Sequence, residues 1–376
     1  MSTPIIRFRT NPPRTILIVC TQRIGDVLLS TPLARSLKSA WPDSHIDYLV
    51  LPGTEGILDG NMDIHNVLVF PQRVSLLQKL GQIRRVWGRY DLALAAAPTD
   101  RARLFAWAAS PCSVGFTTPE ELAWLKRALL AADIPFDNLN THTVDMGLQL
   151  LGPLEIPPIA QICAPRAEAA RWAERRRELA LGDDPYVVVH PNPKFRYKMW
   201  DSAKWIEFIE WLHHQSFQVV LTGSNDPQEA AYVEAIVAAT PQSCRSLVGC
   251  LSLAETTELV SGARLFVGPD TAVTHLAAAS GTPTIALFGP SNPVKWGPWP
   301  KGRTVPGSPW KLHGSSRQGN VWLIQGEAPE GCVPCLLEGC DRHLDSDSRC
   351  LLGISVERVR TAARDLLGLP WVFITR

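Results

Sequence analysis

The stretch from Gly268 to Trp299 reads GPDTAVTHLAAASGTPTIALFGPSNPVKWGPW and is the most informative part of the chain. The apolar run before it, Leu265–Val267, is typical of a buried strand, and Pro269 is expected to end that strand. Thr271–Ser280 then has a helical pattern. A strand that turns directly into a helix points unpaired backbone N–H groups at its carboxyl end, where open α/β sheets bind anions. On local pattern alone, Asp270 and the threonine after it could equally be ordinary helix caps.

Further apolar, β-branched runs alternate with helical patterns through the rest of the chain, which predicts parallel sheets covered on both faces. The remaining predicted strands are Thr15–Cys20, Ile46–Leu51, Val67–Phe70, Leu92–Ala97, Tyr186–His190, Val219–Gly223 and Thr284–Phe288. A proline-rich segment, 152–166, separates the two halves as a linker. We therefore expect two Rossmann-like doubly wound α/β domains, 1–165 and 166–354, facing a cleft. A final helical segment, 355–376, is expected to pack back on the first domain.

Composition favours a globular protein without nucleic-acid partners. The chain has 376 residues, of which 45% are hydrophobic and 19% charged, with a formal net charge of +1. A net charge this small gives no argument for nucleic-acid binding. No apolar run approaches the length of a membrane span, and the segment Met1–Arg14 lacks the apolar core of a signal peptide. The sequence therefore predicts a cytoplasmic protein.

Several common site motifs are absent. The chain contains no G-x-G-x-x-G, no P-loop, no H-E-x-x-H and no G-x-S-x-G. One D-x-D pair, Asp345 and Asp347, lies in a polar loop and is interpreted as solvated, with metal binding the lesser alternative.

Four cysteines cluster near the carboxyl end. Cys332, Cys335, Cys340 and Cys350 fall within nineteen residues, whereas the other five are scattered among apolar residues. Such clustering in a protein expected to be cytosolic suggests a structural zinc site more than disulfides. The spacing is irregular, so a reduced, cysteine-rich loop is the alternative.

Two segments that follow predicted strands carry candidate charges. Gly25 permits a close turn after the first strand, and Asp26 then stands at a helix start, where it is either an N-cap or a general base. After the strand 186–190, the loop to Trp200 carries Lys194, Arg196 and Lys198. Three cations can neutralise a diphosphate, although a solvated basic loop is the simpler interpretation.

The turn Leu221–Asp226 is a third candidate, because its polar residues could contact a ribose or begin a helix. The fourth candidate is the stretch that opens with Gly268. There His275 lies four residues after Thr271 and therefore on the same side of the helix.

Taken together, these segments resemble glycosyltransferase family 9, the ADP-heptose:lipopolysaccharide heptosyltransferases. The resemblance covers nearly the whole chain. It rests on R-I-G-D-V-x-L-x-T-P at Arg23–Pro32, K-x-W at Lys198–Trp200, T-G at Thr222, G-P-D-T-x-x-x-H-L-A-A-A-x-G-T-P at Gly268–Pro283, and the following F-G-P-x-x-P and W-G-P. The clustered cysteines are similar to those of many members.

The resemblance implies a GT-B type fold, metal-independent inverting transfer from ADP-heptose, and a role for each matching residue. Asp26 would be the catalytic base, Lys198 would contact the diphosphate and donor sugar, and Asp270 the heptose. The implied nucleotide-sugar contacts are completed by Asn192, Thr222, Gly223, Asn225, Thr271, Ala272, Val273 and His275. The ribose-binding acid of some members has no clear match, and Asn225 or Asp226 could replace it.

The acceptor is the most open question. The resemblance implies a lipopolysaccharide core intermediate, with Arg23, Arg101 and Arg103 as candidate contacts. Residues 73–89 have a helical pattern that mixes leucines with cations, which suits either a helix on the anionic inner membrane or a buried helix with solvated arginines. A protein or another glycan as acceptor, or sugar-nucleotide binding without transfer, remain the alternatives.

Overall fold

The computed structural model describes residues 4–118, 128–328 and 331–370. The chain forms two compact units, and each is described by itself. The first comprises Met1–Pro165 together with Arg303–Ser308, and the second comprises Arg166–Gly302 together with Pro309–Arg376. The return of 303–308 to the first unit was not predicted from the sequence.

The first unit is built on a six-stranded sheet of order β3-β2-β1-β4-β5-β6, in which every pair of neighbours is parallel. The strands are β1 Thr15–Val19, β2 His45–Val50, β3 Asn66–Val69, β4 Leu92–Ala95, β5 Ser113–Thr117 and β6 Ala132–Pro135. The strand order reverses between β1 and β4, so the loops after these two strands meet at one edge of the sheet. β5 and β6 were not predicted.

The helices of the first unit are α1 Ile24–Ala40, α2 Leu76–Val86, α3 Asp100–Ala109 and α4 Thr143–Leu148. α1 contains Pro32, which has no N–H to donate to the carbonyl of Leu28 one turn earlier. The hydroxyl of Thr31 donates to that carbonyl instead, at 2.8 Å. The Thr-Pro pair is therefore accommodated without breaking the helix that begins beside the switch point.

The second unit is built on a seven-stranded sheet of order β12-β13-β11-β10-β7-β8-β9. Its strands are β7 Tyr186–Val189, β8 Gln218–Leu221, β9 Cys244–Ser246, β10 Leu265–Pro269, β11 Thr284–Phe288, β12 Ser316–Gln318 and β13 Val321–Gln325. Only the edge pair β12–β13 is antiparallel. Pro269 was expected to end β10 before it; instead it is the last strand residue, opposite Leu287.

The helices of the second unit are α5 Ala169–Glu178, α6 Ser202–His214, α7 Pro227–Ala239, α8 Leu253–Ser261, α9 Ala272–Ser280, α10 Pro293–Trp296, α11 Arg349–Leu352 and α12 Val356–Leu367. The strand order reverses between β7 and β10, which are paired at Val189 and Val267. The loops that follow these two strands therefore begin side by side.

The last helix packs on the core of the second unit, whereas the sequence had suggested packing on the first domain. Val359 and Ala363 of α12 are buried in one core cluster with strand residues such as Val187 and with Phe208 of α6. The helix itself was predicted, but a helical pattern does not specify which sheet will bury it.

Truncation of this contact should weaken the second unit. Val359→Ala removes two methyl groups from a fully buried side chain, so the free energy of unfolding should fall by roughly 2 kcal/mol. Val305 is 58% exposed, and Val305→Ala is the matched control. Urea unfolding monitored by tryptophan fluorescence measures both, and equal stability of the two variants would contradict the assignment of α12 to this core.

Candidate active site

Four side chains from three separate segments meet at the switch point of the second sheet. The carboxylate of Asp270, directly after β10, lies 2.5 Å from the ammonium nitrogen of Lys198. The hydroxyl of Ser291, in the turn after β11, donates to the same carboxylate oxygen at 2.7 Å. Nε2 of His275 in α9 lies 3.8 Å from the other oxygen. The sequence had singled out all of these except Ser291.

At neutral pH this cluster consists of an ion pair, Lys198 with Asp270, beside the uncharged ring of His275. Burial by itself raises the pKa of the Asp270 carboxyl, but Lys198 together with His275 and the Ser291 hydrogen bond lowers that pKa below its ordinary value. Burial lowers the pKa of His275 to about 4, against the opposing charge of Asp270. At neutral pH the imidazole is therefore uncharged, and Lys198 is the counter-ion of the carboxylate.

His275 also carries an unsatisfied atom. Its Nδ1 is buried and has no hydrogen-bond partner among the residues that the structure describes. Buried polar nitrogens in folded proteins are nearly always hydrogen-bonded. A ligand oxygen is the kind of group that would complete this site.

The start of α9 lies beside the cluster. Thr271 is its N-cap, and the threonine hydroxyl accepts from the backbone N–H of Thr274 at 3.4 Å. The capping role proposed for Thr271 is therefore real. The N–H groups of Ala272 and Val273 belong to the first turn, which has no carbonyls of its own helix to bind, and both residues are half-buried. The helix start can therefore receive an anion.

The cysteine-rich loop supports the segment that carries Lys198. The guanidinium of Arg196 donates to both carboxylate oxygens of Asp347, at 2.8 and 3.1 Å. The hydroxyl of Ser348 donates to the backbone carbonyl of Tyr197 at 2.6 Å. Asp347, which we interpreted as a solvated loop residue, is therefore an ion-pair partner. Arg196, for which a solvated basic loop was the simpler interpretation, is paired with the carboxylate of Asp347.

The turn after β8 carries a second group of polar side chains. Thr222 is buried, and its hydroxyl lies 3.1 Å from Nδ1 of His190. Asp226 caps α7 by accepting from two backbone N–H groups, which explains its position without a ligand. Asn225 is exposed. Glu229, which the sequence analysis missed, accepts from the N–H of Ser224 at 2.9 Å and is the carboxylate that acts on His190.

Asn192 and Gly223 lie in the same two loops. Asn192 is buried in the segment after β7. Gly223 follows β8, and a Cβ there would lie 3.2 Å from Val248, closer than most side-chain contacts. Both residues are thus at the strand ends where the sequence predicted them, and nothing further in the structure assigns them a role.

In the first unit, Asp26 stands in the first turn of α1 after β1. The N-cap of α1 is Arg23, not Asp26 as the capping alternative had it; the carboxylate of Asp26 reaches back and accepts the backbone N–H of Arg23 at 3.2 Å. Asp26 is half-buried and Arg23 is exposed. A carboxylate that receives this hydrogen bond retains lone pairs for another donor, so the cap and the predicted base are compatible.

The two other arginines expected to meet an acceptor serve the first unit itself. Arg103 is buried, donates to the backbone carbonyl of Phe116 at 2.9 Å and pairs with Asp100 at 2.5 Å. Arg101 donates to the carbonyls of Phe70 and Pro71 at 3.2 and 3.1 Å. Both guanidinium groups therefore hold neighbouring backbone, and their contact with an acceptor stays a prediction.

The four clustered cysteines are near one another without forming a ligand set. Cys350 is buried, and burial, helped by the negative charge that Cys335, Cys340 and Cys332 would carry, raises the pKa of its thiol to about 11. None of the four is in a disulfide. In the described part of the chain, no three His, Cys, Asp or Glu side chains are grouped as metal ligands, so structural zinc stays a prediction from sequence.

Among the residues that the structure describes, no helix combines the length and apolarity needed to span a bilayer.

Comparison with known proteins agrees with this architecture. The chain is 30% identical over 296 residues to lipopolysaccharide heptosyltransferase 3 of Escherichia coli, covering 73% of this chain and 83% of the relative. It superposes on the solved E. coli ADP-heptose lps heptosyltransferase II with a TM-score of 0.70 at 21% identity, covering 94% and 98% of the two chains. E. coli heptosyltransferase WaaC, solved with ADP-2-deoxy-2-fluoro heptose, gives a TM-score of 0.66 at 17% identity, covering 93% and 99%.

The two doubly wound parallel sheets define a glycosyltransferase fold of GT-B type. The model of glycosyltransferase family 9 (heptosyltransferase) matches residues 78–319, which include Lys198, Asp270 and His275. The chain belongs to this family.

The buried histidines should make the second unit sensitive to mild acid. Burial lowers the pKa of His190 and of His275 from 6.5 to about 4. Their contribution to stability is complete above pH 6.5 and is lost as the pH falls towards 4, because only the unfolded chain binds the protons in that window. Each should cost about 2 kcal/mol by pH 5.

Urea unfolding between pH 7 and pH 5 measures this loss. His190→Gln should flatten the pH dependence, whereas His214→Gln, at an exposed position, should leave it unchanged. A profile as steep in His190→Gln as in the parent protein would contradict the neutral, buried state of this ring.

Proposed function

We propose that this family 9 enzyme transfers a heptose from ADP-heptose to an inner-core acceptor of lipopolysaccharide, with inversion at the anomeric carbon and without a catalytic metal. The observation that carries the proposal is the Lys198–Asp270 pair beside the start of α9. The names of the similar proteins, which include ADP-heptose and lipopolysaccharide, support this choice of donor and acceptor.

The second unit has the groups that a departing diphosphate needs. Cleavage of the bond between the anomeric carbon and the phosphate oxygen leaves negative charge on ADP. Lys198 and the N–H groups of Ala272 and Val273 can stabilise that charge as it develops. The neutral ring of His275 has one N–H; with that proton on Nδ1, which has no partner among the described residues, the ring can donate to a phosphate oxygen.

Asp270 suits the sugar better than the phosphates. An ionised carboxylate only accepts hydrogen bonds, so it attracts hydroxyl groups and repels a diphosphate. Its position is held by Ser291 at 2.7 Å and by Lys198. When the donor is bound, Lys198 would lie between the carboxylate and the phosphates and balance both.

Asp26 in the first unit is the proposed base. It would take the proton from the acceptor hydroxyl while that oxygen forms the new bond to the anomeric carbon. Attack from the side opposite ADP inverts this centre. The electron pair of the broken bond leaves on the diphosphate, so no oxidant or reductant is required.

The direct test is ADP release from ADP-heptose, with and without a heptose-deficient lipopolysaccharide acceptor. Release that depends on the acceptor supports the proposal. Donor binding without acceptor-dependent release would show that the acceptor is another glycan or a protein, or that the chain binds without transferring. Absence of donor binding would refute the sugar nucleotide itself.

Removal of the proposed base should stop transfer without preventing donor binding. Asp26→Asn keeps the size of the side chain and should lower kcat by about 10²- to 10⁴-fold while the Kd for ADP-heptose stays within about twofold. Acceptor-dependent ADP release and calorimetric donor titration measure the two quantities. Asp63→Asn is the control, because it removes another carboxylate of the first unit, one that pairs with Arg35 and has no proposed role in transfer. Near-normal kcat in Asp26→Asn would exclude this aspartate as the base.

The ion pair between Arg196 and Asp347 should act on donor binding through the position of Lys198. Both side chains are about half exposed, so Asp347→Asn should leave thermal stability nearly unchanged. We expect the KM for ADP-heptose to rise about three- to tenfold with kcat largely retained. The reason is that the variant loosens the segment that carries Lys198 but leaves Lys198 itself in place. Asp345→Asn in the same loop is the matched control. Identical KM values in the two variants would show that the pair does not position Lys198.

A further inference from the structure

The face of α2 that points away from the first unit is apolar. Leu76, Leu77 and Leu80 are 72%, 81% and 55% exposed in the whole chain. A surface helix ordinarily turns its leucines inward, so α2 is the reverse of the usual arrangement. Gln82 and Val86 are the residues it buries.

The orientation of α2 is held by specific contacts on its inner side. The side-chain amide of Gln82 donates to the carbonyl of Pro71 at 3.1 Å, and Arg101 donates to the amide oxygen of Gln82 at 3.4 Å. The guanidinium of Arg85 lies over the ring of Phe70, at 4.9 Å from its centroid. Because these contacts hold the inner side, the leucines cannot reach the core by rotation of the helix about its axis.

The neighbouring helix extends this apolar surface. Leu104 and Trp107 lie three residues apart on α3 and are both exposed. The ring of Trp107 packs edge-on against that of Trp87, at the end of α2, with 5.3 Å between centroids. We call the combined surface the α2–α3 face, which consists of Leu76, Leu77, Leu80, Trp87, Leu104 and Trp107. A cluster of exposed apolar residues of this kind marks an interaction site.

The charges around the α2–α3 face identify its partner. Residues 71–90 contain five cations and no Asp or Glu. Arg85 lies over Phe70 on the inner side, and the other four are Arg73, Lys79, Arg84 and Arg89. Arg84 projects between the directions of Leu77 and Leu80 on the helix. A second copy of the chain would bring the same cations against themselves in a symmetric contact. The phosphates of a nucleic acid would leave the leucines in water.

We propose that the α2–α3 face docks this enzyme on an anionic lipid surface, with the leucines and tryptophans among the acyl chains and the cations at the lipid phosphates. On α2, leucines with interleaved Lys and Arg and no acid are the combination that holds a helix in a bilayer interface. On α3 the exposed Asp100 lies one turn before Leu104 and pairs with Arg103. This inference deepens the proposed function, since a lipid-anchored acceptor would be met on such a surface.

Co-sedimentation with vesicles tests the proposal. The full chain should bind vesicles made of equal parts phosphatidylglycerol and phosphatidylcholine, and should bind phosphatidylcholine alone much more weakly. Leu77→Ser with Leu80→Ser should weaken binding by at least about tenfold, because both side chains leave the acyl region. Leu139→Ser is the control, since Leu139 is an exposed leucine of the same unit outside the α2–α3 face.

A second pair of variants tests the charges. Lys79→Ala with Arg84→Ala should weaken binding to the anionic vesicles and reduce its dependence on salt. Arg166→Ala with Arg171→Ala removes two exposed cations of the second unit and should have no effect. Circular dichroism checks that each variant is folded.

Three results would overturn the proposal. They are absence of vesicle binding by the parent chain, equal binding by the leucine variant and the Leu139 control, and an oligomer that the leucine substitutions dissociate without any vesicle binding. ADP release with a water-soluble acceptor, measured on the same variants, tests the proposed function separately. Transfer without vesicle binding therefore refutes only the lipid surface, and vesicle binding without transfer refutes only the chemistry.

Discussion

The rest of the candidate site depends on one buried ion pair, Lys198 with Asp270. The Asp270 side chain is only 9% exposed, and a carboxylate in that position stays ionised only because a cation is beside it. Removal of either partner would leave an uncompensated buried charge, which typically costs about 3–5 kcal/mol. The pair therefore constrains three segments at once, namely the end of β10, the loop that carries Lys198 and the turn that carries Ser291.

The surroundings of this pair explain why distant parts of the chain matter to it. Lys198 ends a short 3₁₀ turn, Arg196–Lys198, whose neighbours reach it from distant parts of the chain. Asp347 and Ser348 of the cysteine-rich loop hold the two residues before it. The indole of Trp200 donates to the carbonyl of Ile354 at 2.9 Å, which attaches the same segment to the chain before α12. A cysteine-rich loop that appears in the sequence as a possible metal site thus supports the proposed donor site whether or not it holds a metal.

The neutral state of two histidines follows from the same packing. His190 and His275 are buried, which favours the uncharged form of each ring, and a buried site also strengthens the charge interactions within it. The stability of this arrangement at neutral pH and its sensitivity to acid have one cause, since burial of an imidazole favours the form without a proton. The α2–α3 face of the first unit shows the opposite condition, because its apolar side chains remain exposed.

Hydrophobic period and turn chemistry are local properties, so the alternation of strands and helices, the division after Pro165 and the residues at the ends of β1, β7, β8 and β10 could be predicted from the sequence. β5 and β9 were missed because SVGFT and CRS contain glycine or polar residues and lack a continuous apolar run. The packed structure was needed to show that α12 joins the second core, that Arg101 and Arg103 hold the first unit, and that Ser291 and Asp347 serve the lysine–aspartate site. It also decided which way α2 faces. These outcomes depend on contacts between residues far apart in the chain, and an amphipathic or charged pattern does not specify the partner that it meets.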